Sequence, residues 1–300
     1  MTHSTPGVAL GPDVLRFSQV DVFTAVPYRG NPVAVIDGAD HLSTEQMQRI
    51  ANWTNLSETT FLLRPTDPAA DYRVRIFTPG VELPFAGHPT IGSCHAWMSV
   101  EDNTPKDPDF IVQECGVGLV KLRVESDRLA FAAPPLIKGG PVSEQELAPV
   151  LTLLGIERAK VIDAQWADNG PGWLAVRLAT ATEVLELAPD FEAVDSYDIG
   201  VVGPYPIGVL GSHDADNPAI EVRAFFRAGG TPGEDPVTGS LNAALAQWLL
   251  SQDDPIVAPS YVAAQGTVMG RSGRVFIDQV GDTIWVGGDA VTCISGTIRP

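Results

Sequence analysis

The chain repeats itself at about half its length, and this repeat limits what the sequence can fold into. Val74-Arg75-Ile76-Phe77 returns as Val222-Arg223-Ala224-Phe225, an offset of 148 (74 to 222). Further on, Gly87-His88-Pro89-Thr90-Ile91-Gly92-Ser93 aligns with Glu234-Asp235-Pro236-Val237-Thr238-Gly239-Ser240 at an offset of 147 (87 to 234). Each block runs into an apolar, helix-like stretch, Cys94 to Met98 and Leu241 to Leu250. Two similar halves with a cleft between them are the expectation. Each half presents a Gly/Ser turn at a helix start, where unpaired backbone N–H groups and the helix dipole attract an anion. One anionic ligand could then be held from both sides.

Period-two alternation predicts strands at Phe17–Phe23, Val33–Ile36, Thr59–Leu63, Tyr72–Phe77, Phe110–Val112, Val117–Val124 and Arg128–Ala132. Ser43 or Thr44 caps a helix running to about Thr54, with Met47, Ile50 and Ala51 on its buried face. The second half repeats this order. It has strands at Trp173–Leu178, Val201–Val202, Ile207–Leu210 and Ile220–Phe226, a helix capped by Thr182, and terminal strands from Val275, Thr283 and Val291. Mainly antiparallel strands with one helix nested in each half give an α+β class. The expected domains are 1–132 and 133–300, with the Pro-rich stretch Ala133–Pro149 as the crossover and the last strand free to return to the first domain. The first 13 residues read as a disordered leader rather than a signal peptide, having no basic start and no long apolar core.

A formal charge of −18, with four Lys against fifteen Arg, argues against nucleic acid or an anionic membrane as partner. No run of about 18 apolar residues is present, so no membrane span is expected. Cys94, Cys115 and Cys293 form neither a zinc signature nor a disulfide framework and suit a reducing, cytoplasmic setting. The five His are scattered, so no metal is expected.

Several ordered motifs carry a family resemblance. They are Asp21-Val22-Phe23-Thr24, Gly30-Asn31-Pro32, Met47-Gln48-x-Ile50-Ala51, Asn55 through Phe61, Arg75-Ile76-Phe77-Thr78-Pro79, Glu82 through Thr90, and Glu234-Asp235-Pro236-x-Thr238-Gly239-Ser240. Together they resemble the PhzF phenazine-biosynthesis isomerase family from about residue 16 to the end. The resemblance implies the diaminopimelate epimerase fold: two pseudo-symmetric domains, each a mainly antiparallel sheet curled around a central helix, with the active site between them. It also implies isomerisation without a cofactor, a small carboxylated substrate such as trans-2,3-dihydro-3-hydroxyanthranilate, and a homodimer.

Glu58 stands in an otherwise uncharged stretch, where a carboxylate tends to hold its proton to higher pH and can take and return one near neutrality. The resemblance makes it the acid/base. His88 can donate to a substrate oxygen, and Asp235 can cap a helix. The resemblance places both in the cleft as catalytic residues, and gives Ser57, Gly87, Gly239 and Ser240 to the substrate's carboxylate. Asn31 reads as a structural turn residue. The parent fold's cysteine pair is missing from both turns, and all three cysteines read as small buried hydrophobes. Leu241, Asn242 and Arg227 depart from the phenazine enzyme's pattern toward a bulkier, more cationic rim. Two other readings stay open: an amino-acid epimerase or racemase using Glu58 with a second base, and a binding protein without turnover.

Overall fold

The computed structural model describes residues 14–125, 128–191, 198–206, 214–226 and 232–300. The first half contains β1 (Leu15–Val22), β2 (Asn31–Asp37), α1 (Thr44–Thr54), β3 (Glu58–Leu63), β4 (Tyr72–Phe77), β5 (Glu82–Leu83), α2 (Gly87–Met98), β6 (Phe110–Cys115), β7 (Gly118–Glu125) and β8 (Arg128–Ala132). The second contains β9 (Lys138–Pro141), α3 (Glu144–Leu154), β10 (Asp163–Asp168), β11 (Trp173–Arg177), α4 (Ala181–Leu185), β12 (Asp198–Pro204), β13 (Ile220–Phe226) and β14 (Gly233–Asp235). It continues through α5 (Gly239–Leu250), β15 (Ser260–Gln265), β16 (Gly273–Val280), β17 (Thr283–Gly288) and β18 (Ala290–Ile298).

The strand pairings repeat between the halves. β1–β2 is antiparallel, β2–β3 parallel and β3–β4 antiparallel, as are β10–β11, β11–β12 and β12–β13 in turn. β4 then pairs with β5 antiparallel and β6 parallel, and β13 does the same with β14 and β15. β8 pairs with β17 and joins the two sheets, while β18 returns to lie antiparallel along β1.

The repeat extends to side chains. Arg75 clamps Glu82 across the β4–β5 hairpin with Nε and Nη2 at 2.7 and 2.6 Å, and stacks over Phe77. Arg223 clamps Glu234 across β13–β14 with the same two atoms, both at 2.8 Å, and stacks over Phe225. Such fork-on-fork pairs fix direction as well as distance. The second pair is buried, and Arg223 also donates to the Val184 and Leu187 carbonyls at the end of α4.

α2 and α5 are apolar on nearly every side, which suits helices wrapped by a sheet rather than resting on one. A Cβ on Gly92 would sit 2.4 Å from Val33, so glycine is what lets α2 lie close on β1 and β2. One core runs through both halves, from Val20, Ile91 and Phe131 to Leu245, Tyr261 and Val286. Smaller cores under α1 and under α3 and α4 flank it.

Three expectations need correction. The Pro-rich 133–149 stretch is not simply a connector, since it holds β9 and the first two turns of α3. Ser143 and Glu146 form a reciprocal capping box there, and Gly155 closes the helix in the left-handed region. The helix of the second half is capped by Thr180 rather than Thr182. Cys94 is buried, but Cys115 and Cys293 are only half-buried at strand positions near the surface, so apolar burial explains one thiol of three. The leader and the strand expected at Ile207–Leu210 lie outside the described residues.

Candidate active site

The site forms where the starts of α2 and α5 meet. A Cβ on Gly87 would lie 3.2 Å from Gly239 Cα, and one on Gly239 would lie 3.3 Å from the His88 nitrogen. Two helix N-termini thus face each other at contact distance, and only glycine allows it. Their dipoles both present positive ends to the same small space.

Glu58 opens β3 at the edge of this space, and His88 is the second residue of α2. His88 Nε2 lies 3.2 Å from Glu58 Oε2 without the alignment of a formed hydrogen bond, and both atoms are buried without another partner. Asp235 ends β14. Its Oδ1 accepts from Asn31 Nδ2 at 2.9 Å and its Oδ2 from Thr238 Oγ1 at 2.5 Å. Gln265 fastens the same turn: its Nε2 donates to the Asp235 carbonyl and Thr238 Oγ1, and its Oε1 accepts from Thr238 N and Asn242 Nδ2.

Burial orders the protonation states. Glu58 is pushed up to about 8, first by loss of solvent and then by the negative charge of Asp235. Burial holds His88 down to about 3 against the Pro32 carbonyl, which accepts from its ring. Asp235 is raised only to about 6, because Thr238 and Asn31 oppose its burial. At neutral pH Glu58 therefore carries a proton, His88 is neutral and Asp235 is ionised. His88 Nδ1 lies 3.4 Å from Asn31 Nδ2, while Nε2 faces the Glu58 carboxyl on the other edge of the ring. Neighbouring carboxyls held in different states are what acid–base chemistry uses.

Ser57 sits on the exposed approach to β3 beside Glu58. Ser240 Oγ accepts from Trp173 Nε1 at 3.1 Å, and its carbonyl accepts from Asn169 Nδ2 at 2.9 Å. Glu58, His88, Asp235, Gly87 and Gly239 thus converge, while Ser240 is anchored toward the β10–β11 turn. Among the described residues no three His, Cys, Asp or Glu side chains form a metal-binding group, and no helix is long and apolar enough to cross a membrane.

Asp235 is not the counterpart of His88. Leu83 opposes Ile76 in the first half and Asp235 opposes Ala224 in the second, so Asp235 stands where Leu83 stands. The helix starts, Gly87 and Gly239, are offset by 152 (87 to 239), which makes Ser240 the partner position of His88. The hairpin between Phe225 and Glu234 is four residues longer than that between Phe77 and Glu82 (nine against five), and the offset grows there. Nor do Leu241 and Asn242 form a rim. Both are buried, Leu241 against Gly200 and Asn242 on Gln265. Arg227 lies outside the described residues.

The sequence reading passed over Asn31, Thr238 and Gln265. Gln265 had a usable signal, a lone amide at the end of the apolar run Val262-Ala263-Ala264. A buried polar group of that kind must have partners.

A family model described as "Phenazine biosynthesis-like protein" matches residues 20–296. The chain is 39% identical over 299 residues to "Antisense-enhancing sequence 1" of Schizosaccharomyces pombe, covering 93% of this chain and 97% of that one. It is 33% identical over 263 residues to a trans-2,3-dihydro-3-hydroxyanthranilate isomerase of Pseudomonas aeruginosa, covering 87% and 89%. A PhzF-family crystal structure from Bacillus anthracis superposes with a TM-score of 0.76 at 21% identity, over 95% of this chain and 99% of that one. A hydroxyproline epimerase from Agrobacterium vitis shares the architecture at 0.53 and 12% identity, over 96% and 93%. The last two likenesses concern fold alone.

Proposed function

The chain belongs to the PhzC–PhzF, or phenazine biosynthesis-like, family of isomerases, and we propose that it moves a proton within a small carboxylated substrate by side-chain acid–base chemistry. One observation carries the reading. Two carboxyls and an imidazole, drawn from β3, α2 and β14, meet in a buried space, and the Glu58–His88 pair there has unpartnered polar atoms. Buried polar atoms without partners cost stability, and two that face each other beside a second carboxyl fit a place built for a polar ligand.

In this reading the ionised form of Glu58 removes a proton from an activated carbon. The electrons shift through the substrate's conjugated system, and the same carboxyl returns the proton at another carbon. The facing starts of α2 and α5, with Gly87, Gly239 and the Ser240 hydroxyl, receive the substrate's carboxylate. Neutral His88 and anionic Asp235 orient a hydroxyl or amine. Burial keeps the abstracted proton from exchanging with water. The substrate would be trans-2,3-dihydro-3-hydroxyanthranilate or a related intermediate. A second reading, epimerisation of an amino acid, draws on Asp235, a second carboxyl in the same space that titrates at about 6.

The test is incubation with trans-2,3-dihydro-3-hydroxyanthranilate in D₂O, followed by NMR and ultraviolet absorbance, for wild type and Glu58→Gln. Loss of substrate in wild type alone supports the isomerase reading and the role of Glu58. Equal loss in both proteins refutes Glu58 as the base. Exchange of one α-proton with inversion, on an amino acid offered in the same assay, would favour the epimerase.

A further inference from the structure

Asn31 opens β2 and is fully buried. Its amide crosses from the first half to the second, with Nδ2 2.9 Å from Asp235 Oδ1 and 2.9 Å from the Val237 carbonyl. Both neighbours accept only, so the NH₂ end must face them, and the orientation of the amide follows from the network. Its own Oδ1 is buried without a partner. The backbone beneath it is cinched as well: Asp21 Oδ2 accepts from the Arg29 and Gly30 nitrogens at 2.7 and 3.0 Å. Arg271 of the second half donates to the Gly30 carbonyl at 3.2 Å. A Cβ on Gly30 would stand 2.1 Å from the Val22 carbonyl, so this approach to β2 is closed to other residues.

We infer that Asn31 is the positioning residue that decides which carboxyl of the site holds its acidic proton. By spending one amide hydrogen on Asp235 and the other on Val237, it keeps Asp235 an anion and leaves the proton on Glu58. This rests on the acid–base reading above and adds a division of labour to it. The reasoning is electrostatic. The charged groups acting on Asp235 are Glu234 and Asp198, with protonated Glu58 and neutral His88 across the same space and Arg223 engaged by Glu234. Burial first, and then the charges of Glu234 and Asp198, favour a protonated Asp235. Only the hydrogen-bond donors Thr238 and Asn31 oppose them. Thr238 comes from the same turn as Asp235, whereas Asn31 comes from the opposite half. The ionised state of Asp235 therefore depends on the two halves being together.

The experiment is carboxyl ¹³C NMR of full-length protein labelled at Asp Cγ and, separately, Glu Cδ. Asp235→Asn and Glu58→Gln assign the two signals. In wild type, the Asn31 side-chain amide protons should shift with the titration of Asp235. In Asn31→Ala, Asp235 should titrate about one to two pH units higher, the size of one hydrogen bond to a charged group. Glu58 should move down in the same sample, because its anionic neighbour is gone. Asn31→Ser, which keeps one donor, should fall between. A purely structural role would not move two carboxyls in opposite directions. Unchanged titration of both in a folded variant overturns the inference. So does an Asn31 amide in wild type that ignores the ionisation of Asp235, a result available even if neither variant folds. None of these readouts needs turnover, so failure of the inference is distinct from failure to isomerise trans-2,3-dihydro-3-hydroxyanthranilate.

Discussion

Replacing Glu58 with Gln removes one titrating group and keeps the shape of the protonated acid, so its effect on stability can be worked out across the pH range. The carboxyl titrates near 4.5 in a solvated chain and at about 8 in the fold. Between those values the native state binds the proton that the unfolded state has lost, so stability falls as pH rises through the window. Moving a carboxyl from 4.5 to about 8 costs ~5 kcal/mol at alkaline pH, at ~1.4 kcal/mol for each pH unit. The other two groups act at lower pH. His88, held at about 3 against an ordinary 6.5, makes stability rise with pH up to 6.5. Asp235, raised from 3.8 to about 6, makes it fall over that interval. From pH 6.5 to 8, Glu58 is the one member of the trio still changing, and its share of the decline there is ~2 kcal/mol. The assay is urea unfolding of wild type and Glu58→Gln at pH 5, 6.5 and 8.5. The variant should match wild type at pH 5 within ~1 kcal/mol, exceed it by ~3 kcal/mol at pH 6.5 and by more at pH 8.5. Parallel stability curves would show that the native carboxyl ionises normally, and the acid–base reading would lose its physical basis.

Other expectations follow from the same geometry. The kcat/KM for a turned-over substrate should climb toward a plateau above about pH 8 as Glu58 ionises, and Asp235→Asn should shift that limb to lower pH by removing the anion beside it. Gly239→Ala puts a methyl 3.2 Å from Gly87 Cα; it should cost ~1–3 kcal/mol in thermal unfolding and most of the activity. A fully active Gly239→Ala would show that the helix starts need not touch. Arg223→Ala leaves Glu234 buried without its partner and should cost ~3–5 kcal/mol, whereas Arg75→Ala, its partly exposed counterpart, should cost about 1 kcal/mol. Equal losses on urea unfolding would contradict the burial difference between the two clamps.

The duplicated architecture was legible because the repeat preserves what fixes a hairpin. Val74–Phe77 and Val222–Phe225 carry an arginine and an aromatic ring at matching positions, and the fold uses both in the same way. The register of the site was not legible. Four extra residues between Phe225 and Glu234 shift everything after them, and a short motif match cannot tell a shifted frame from a true one. Glu58 stood out as a charge in an uncharged stretch, and His88 and Asp235 through the family motifs. Asn31 did not, because Gly-Asn-Pro has the composition of a turn, and only the far half of the chain supplies its partners. Helix α3 was hidden by Pro149 and by the prolines that precede it, although Ser143 and Glu146 spelled its start. Leu241 and Asn242 were misjudged because their orientation depends on how α5 is wrapped, which sequence spacing alone does not give.

The return of β18 to β1 also sets the order in which the molecule can be finished. Leu15 lies opposite Ile298, so β1 finds its outer neighbour only after β18 has been made. At ~5–20 residues per second that is a wait of roughly 15–60 s, with one margin of the sheet open to other chains. A chain stopped within β18 would carry all of Glu58, His88 and Asp235 and still leave part of β1 without its outer neighbour. The two ends of the described chain thus lie side by side, as a circular permutation would require.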